Sequence, residues 1–224
     1  MFKSLLVSAV ALIFSAQAAA TVLVIDNFAT GQAQVSDLAG GGATVSAPIA
    51  PTMGEIWTNR TLSVDAIGAG YNSGDPSAIV VAGIVSIAND PAENSKVDLV
   101  WNIGAVTSLV GATNGLLTVD FLAHNAGIPP TMITFSIGGV ALTAVPLSGL
   151  AGSVSAALSA AQLSAFATGT TLTLSVTGGD GYDVVLDNVR LSSDPAQVPV
   201  PGSLALLACG LFGLRFNRKA SIAK

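Results

Sequence analysis

The 224-residue chain has little charge, few aromatic side chains and almost no cysteine or histidine. Only 9% of its residues are charged and 5% are aromatic. The one cysteine, Cys209, excludes an intramolecular disulfide. Between residues 21 and 202, three basic residues accompany thirteen acidic ones, a net charge of −10. Such a surface repels nucleic acid and anionic membranes, so neither is an expected partner of this part of the chain.

Side chains suited to catalysis are scarce as well. His124 is the only histidine, and no G-x-S-x-G elbow, H-E-x-x-H pair, phosphate loop or dinucleotide fingerprint accompanies it. A lone histidine at a predicted strand end is expected to be a surface residue. Glutamate occurs only at Glu55 and Glu93, whereas glycoside hydrolysis needs two facing carboxyl groups. We therefore predict that the chain is not an enzyme, with a glycoside hydrolase as a remote alternative.

The first twenty residues have the pattern of a secretory signal peptide. Lys3 precedes an apolar run over residues 5–14, and Ala18-Ala19-Ala20 supplies small residues for cleavage. A retained membrane anchor is the alternative, but the run is shorter than the about 20 residues that a bilayer span needs. The pattern predicts export, cleavage of residues 1–20 and a mature chain that begins near Thr21.

The C-terminal end carries a second apolar run. Residues 203–214 are almost entirely apolar, and Arg215, Arg218 and Lys219 follow them. Basic residues hold their side of a membrane segment in the cytoplasm. The sequence therefore predicts a linker over residues 194–202, a transmembrane segment with a basic cytoplasmic tail over 203–224, and a body outside the cell.

This tail resembles the PEP-CTERM sorting signal of Gram-negative bacteria, the substrate of an exosortase. The resemblance rests on Val198, Pro199 and Pro201, the Gly- and Leu-rich apolar run and the basic end. The family usually has Glu between the prolines, and here Val200 stands at that position. The resemblance implies sorting to the cell surface or an extracellular biofilm matrix. The alternative is a plain tail anchor.

The sequence of the body, residues 21–193, predicts an all-β, jelly-roll-like antiparallel sandwich with one short helix. Short β-branched runs alternate with turn residues, which is typical of sandwiches. A hairpin is predicted across Gly138-Gly139 and a helix over residues 153–167, where Leu and Phe follow helical spacing. Strands are predicted over residues 21–28, 60–64, 77–87, 96–103, 116–124, 131–139, 140–147, 170–179 and 182–191.

The closing LDNVRL strand resembles the last strand of jelly-roll domains of the carbohydrate-binding-module type. In those folds the first and last strands pair, and a structural Ca²⁺ is often held near an acidic residue of each. The resemblance implies Asp26 and Asp187 as the calcium ligands. The alternative is that Asp187 and Asn188 only cap a strand end.

Residues 178–186 match the repeat-in-toxin nonapeptide, which binds calcium in a β-roll. A roll needs several stacked repeats, and the chain has one copy. We therefore predict a Gly-rich hairpin turn there.

Glycan recognition commonly uses exposed aromatic rings that stack on sugars. Trp57 and Tyr71 lie among Gly, Asn, Ser and Thr and are the candidates; the alternative is that both are partly buried anchors for long loops. Trp101 lies in an apolar strand and is predicted to be core. The favoured function is a structural or adhesive role in an extracellular polysaccharide matrix, and the alternative is a carbohydrate-binding module with a defined glycan ligand.

Overall fold

The computed structural model describes residues 21–37, 42–52, 55–67, 76–89, 91, 94–125 and 129–194. Several residues with predicted roles lie outside these ranges: the signal peptide, the sorting residues Val198, Pro199 and Pro201, the basic residues Arg215, Arg218 and Lys219, and Tyr71. No helix in the described ranges is long and apolar enough to cross a membrane.

Two seven-stranded antiparallel sheets form a sandwich, which confirms the predicted fold class. The first sheet contains β1 (Thr21–Asp26), β2 (Gln32–Ser36), β5 (Ser77–Val81), β6 (Ile84–Ala88), β8 (Asn114–Asn125), β12 (Gly152–Ser159) and β14 (Asp183–Ser193). The second contains β3 (Thr44–Val45), β4 (Trp57–Ala66), β7 (Ser95–Ile103), β9 (Met132–Ile137), β10 (Val140–Ala141), β11 (Val145–Pro146) and β13 (Thr170–Thr177).

The strand order shows how the chain crosses between the sheets. The first sheet runs β12-β8-β14-β6-β5-β2, and the second runs β10-β9-β13-β7-β4-β3 with β11 also on β9. β1 pairs with β14, so the first and last strands lie side by side. β1 and β6 share one side of β14, because β6 pairs with residues 184–186 and β1 with residues 189–193.

The core lies between the sheets and follows from strand alternation. In β7, Val97, Leu99 and Trp101 are buried, and the intervening residues face outward. Leu172 and Leu174 of β13 pack beside them. Full burial of each such side chain stabilises the fold by about 1.5–3 kcal/mol. The prediction that Trp101 is a core residue is confirmed.

Residues 77–87, predicted to form one strand, form a hairpin instead. Ala82 and Gly83 have φ angles of 51° and 88°, and β5 and β6 pair across them. Two consecutive residues at positive φ match the twist of a two-residue hairpin turn. The prediction missed this turn because alanine rarely adopts that conformation. The hairpin across Gly138 and Gly139, by contrast, is confirmed.

The helix predicted over residues 153–167 is correct only for its second half. The helix α1 spans Ala160–Thr168 and begins with a capping box between Ser159 and Gln162. The preceding residues form β12, because β8 offers a strand to pair with and every second side chain of β12 is buried. Tertiary pairing therefore overrides the helical tendency of this Ala-rich stretch.

The prediction of a hairpin turn after β13 is wrong. β13 belongs to the second sheet and β14 to the first, so residues 178–182 carry the chain across the sandwich. Tyr182 is fully buried there, and its hydroxyl lies 3.0 Å from Ser95 Oγ. A Cβ on Gly178 would lie 2.3 Å from the Tyr182 ring, so glycine is needed at this position.

Candidate functional site

Asp26, predicted as a calcium ligand, lies at the end of β1 and is fully buried. One carboxylate oxygen accepts the Phe28 backbone N–H at 2.7 Å. The other accepts Trp101 Nε1–H at 2.6 Å and a guanidinium N–H of Arg60. Both oxygens therefore have partners inside the protein.

Arg60, in β4 of the second sheet, is the buried counter-ion of Asp26 and is 0% exposed. Its other nitrogens donate to the backbone oxygen of Thr30 and to Gln32 Oε1, the latter at 3.1 Å. The guanidinium also lies 5.3 Å from the centre of the Trp57 ring, a cation–π distance. Oxygen atoms and the faces of aromatic side chains thus surround the positive charge of Arg60 between the two sheets.

This arrangement does not fit a calcium ion at Asp26. Calcium takes six to eight oxygen ligands, and the Arg60 guanidinium already neutralises this carboxylate. Asp187 lies at a register shift in β14 and accepts a bond from Asn188 Nδ2 at 2.7 Å. No group of three or more His, Cys, Asp or Glu side chains that could hold a metal occurs in the described ranges.

Glu55 lies beside the ion pair. Thr30 Oγ1 is 3.4 Å from one of its oxygens, and the other oxygen is buried with no hydrogen-bond partner in the described part of the chain. Burial, followed by the negative charge of Asp26, raises the pKa of Glu55 above its usual value. Asp26 is fully buried and bonded to Arg60. The glycosidic bond of a substrate therefore does not fit between the carboxyl groups of Glu55 and Asp26.

Two other sequence-based expectations need correction. Trp57 does not lie in an exposed loop; it is in β4, 2% exposed, and packs against Arg60, so its ring cannot stack on a glycan. His124 is not a surface residue; it is 6% exposed, its Nδ1 lies 3.2 Å from the Gly149 oxygen, and Phe121 contacts it edge-on. The alternation of β4 could have revealed the burial of Arg60, because Arg60 has the same parity as Leu62 and Val64.

The outer surface of the second sheet carries rows of hydroxyl and amide side chains. We call this surface, formed by the outward residues of β4, β7, β13 and β9, the hydroxyl face. Because paired residues project to the same side, each row runs across neighbouring strands. The rows are Asn59-Asn102-Thr171, Thr61-Val100-Thr173-Ser136, Ser63-Asp98-Ser175-Thr134 and Asp65-Lys96-Thr177-Met132.

The hydrogen bonding of this face differs between its rows. Asn102 donates to Asn59 Oδ1 at 2.7 Å and accepts from Thr171 Oγ1 at 3.2 Å. In the next row, the hydroxyl groups of Thr61, Thr173 and Ser136 have no hydrogen-bond partner among the described residues, and these residues are half-buried. This central row therefore has free donors and acceptors for a ligand.

Charge on the hydroxyl face is low and mostly paired. Lys96 Nζ lies 2.7 Å from Asp98 Oδ2, and Ser175 Oγ donates to the other oxygen of Asp98 at 2.6 Å. Asp65 lies opposite Lys96 on the neighbouring strand. The face therefore suits an uncharged polar ligand better than an ionic one.

No protein-family model matches the chain, and no curated protein matches it. Several solved structures are similar to it at low identity. The family 11 carbohydrate-binding module from Clostridium thermocellum, in complex with a β-1,3-1,4-mixed-linked tetrasaccharide, is 10% identical with a TM-score of 0.37; the match covers 78% of this chain and 96% of that one. A family 35 carbohydrate-binding module from the same organism is 10% identical with a TM-score of 0.33; the match covers 71% of this chain and 98% of that one. TmCBM61 in complex with β-1,4-galactotriose is 15% identical with a TM-score of 0.36; the match covers 57% of this chain and 80% of that one.

Proposed function

We propose that this chain is an exported, non-catalytic polysaccharide-binding protein of an extracellular matrix, and that the hydroxyl face contacts the glycan. The observation that carries the proposal is the central row of this face. Thr61, Thr173 and Ser136 present free hydroxyl groups on three strands of one sheet, with Val100 of β7 between Thr61 and Thr173.

The geometry of the sheet suits a polymer of sugars. Neighbouring strands lie about 4.8 Å apart, and outward residues repeat about every 7 Å along a strand. Sugar hydroxyl groups both donate and accept hydrogen bonds, as serine and threonine do. The face therefore offers a grid of partners rather than a pocket for a single sugar.

We expect each individual contact to be weak. A hydrogen bond contributes about 0.5–1.5 kcal/mol net, so about four bonds correspond to a Kd near 1 mM. The hydroxyl face carries no aromatic ring to add stacking energy, since Trp57 and Trp101 are both buried. Binding would gain strength from repeated contacts along a polymer, as matrix adhesion requires.

The predicted export signals agree with this location. A signal peptide over residues 1–20 and a tail that resembles an exosortase substrate would deliver the body to the cell surface or the surrounding polysaccharide. The acidic body would be repelled by polyanions, which favours neutral polymers. A structural or adhesive role without a defined ligand is the alternative, and it predicts no preference among polysaccharides.

Affinity electrophoresis tests the binding proposal. Residues 21–194 contain all the paired strands that the structure describes, and they are run in native gels that contain single neutral polysaccharides or alginate. We expect retardation by at least one neutral polymer and none by alginate. Retardation should disappear in a Thr61→Val, Thr173→Val double variant, which removes two hydroxyl groups with little change of shape.

Thr118→Val is the matched control, because Thr118 lies on the outer surface of the first sheet. It should be retarded like the wild type, and circular dichroism should show that all variants are folded. Equal retardation of the double variant and the wild type would contradict the role of the hydroxyl face.

Intact mass tests the sorting proposal separately. Protein recovered from the culture and envelope of the native host should begin near Thr21 and lack the residues beyond about Pro201. A chain retained through Lys224 in the membrane fraction would contradict sorting and leave an ordinary anchored protein.

A further inference from the structure

The sheet edges of this sandwich differ in length and regularity. The edge strand β2 has five residues and a register shift between Gln32 and Val35. The short strands β3, β10 and β11 at the edges of the second sheet have two residues each. β12, in contrast, has eight residues and pairs with β8 at eight consecutive positions without a shift. Its other side pairs with no strand in the described ranges.

The side chains of β12 do nothing to block further pairing. Natural proteins protect exposed edges with lysine, proline, bulges or very short strands. β12 reads GSVSAALS and has none of these features. Its outward residues Ser153, Ser155, Ala157 and Ser159 are small and exposed, and its inward residues are buried. The side chains of β12 therefore leave its edge open to a second strand, which would lie beside the groove between residues 141–145 and 155–157.

Charge does not oppose contact at this edge. Residues 121–179 contain no Asp, Glu, Lys or Arg, although the segment between the targeting signals carries a net charge of −10. The neighbouring carboxylate of Asp120 is already bonded to Arg190 and Ser153, both at 2.7 Å. The edge along β12 therefore carries no unpaired charge that would repel a second copy of this acidic chain.

We propose that β12 pairs antiparallel with β12 of a second copy, which joins the two first sheets into one continuous sheet. A twofold axis normal to the sheet requires like faces to be opposite each other, so we place the axis at Ser155, which would face Ser155 of the other copy. This proposal does not depend on glycan binding. The same symmetry would place both hydroxyl faces on one side of the dimer.

Charge substitutions at the centre of the edge test the proposal. Sedimentation velocity of residues 21–194 over a range of concentrations should show a dimer for the wild type. Ser155→Lys and Ser155→Asp should each dimerise at least about tenfold more weakly, because like charges directly opposite each other destabilise strand pairing. An equimolar mixture of the two variants should regain the dimer, because opposite charges then meet.

Val45→Lys is the matched control, since Val45 is 59% exposed and lies in the short edge strand β3. It should dimerise like the wild type. The proposal would be overturned if the wild type is monomeric at every concentration or if both Ser155 variants dimerise like the wild type. It would also be overturned if Val45→Lys weakens the dimer equally or if the mixture stays monomeric. Recovery in the mixture also excludes misfolding of either variant as the cause.

Discussion

Replacing Asp26 by asparagine removes one partner of the fully buried ion pair and leaves the Arg60 charge in place. Asparagine has almost the same shape as aspartate, so the substitution changes charge and hydrogen bonding with little change in packing. Arg60 retains the Thr30 and Gln32 oxygens as neutral acceptors. The negative charge that balanced it is lost.

The expected effect is large because both side chains are 0% exposed. Breaking a buried pair by removing one partner costs about 3–5 kcal/mol, mostly from the charge left behind. In a domain of this size, about 1 kcal/mol lowers Tm by about 2–4 °C, so Asp26→Asn should lower Tm by about 6–20 °C. Trp101 also retains only an amide oxygen as the possible acceptor for its indole N–H.

Thermal and urea unfolding at neutral pH measure the loss. Asp120→Asn is the matched control, because Asp120 pairs with Arg190 at the surface with side-chain exposures of 19% and 41%. Exposed pairs contribute only about 0–1 kcal/mol, so this control should change stability little. Equal effects of the two substitutions would refute our account of the buried pair.

The double variant Asp26→Asn, Arg60→Met completes a thermodynamic cycle. Removal of both charges leaves no unpaired ion, so the double variant should be more stable than the sum of the two single effects predicts, by at least about 1 kcal/mol. Strict additivity would show that the two side chains contribute independently, contrary to the structure.

Calcium is tested by the same unfolding measurements. Since Arg60 already neutralises Asp26, we expect the same Tm in excess calcium and in excess EDTA. A higher Tm in calcium that Asp187→Asn abolishes would support the predicted calcium site instead.

Three smaller effects are also expected. Because the pKa of Glu55 is raised in the folded protein, the free energy of unfolding should fall as the pH rises through that pKa. Glu55→Gln should therefore raise Tm at neutral pH and leave Tm unchanged at a pH well below 4.5. Gly178→Ala should cost about 1–3 kcal/mol by overlap with the Tyr182 ring, whereas Gly104→Ala, whose added Cβ makes ordinary contacts, should cost less; equal losses in urea unfolding would contradict this. Ala82→Gly should stabilise the protein by up to about 1 kcal/mol, because Ala82 has a φ of 51°, and a lower Tm would refute it.

Part of the candidate site could have been found from the sequence. The sequence predicts Asp26 as a calcium ligand and does not reveal its partner, because Arg60 lies 34 positions away and pairing across the sheets is not a local property. Trp57 was placed in a loop because its neighbours are polar. A register shift between Trp57 and Asn59 instead turns its ring inward. The hydroxyl face was missed because its rows join four separate strands.

The sequence by itself determined the sandwich class, the Gly138-Gly139 turn and strands such as those at residues 96–103 and 170–179, because the alternation of apolar side chains is local and specifies which face of a strand is buried. Only the tertiary structure decided what those strands contact. It paired Asp26 with Arg60, turned residues 153–159 from a predicted helix into an edge strand, and aligned the hydroxyl groups of separate strands. These outcomes depend on burial and on strand register, which arise only when distant segments pack together.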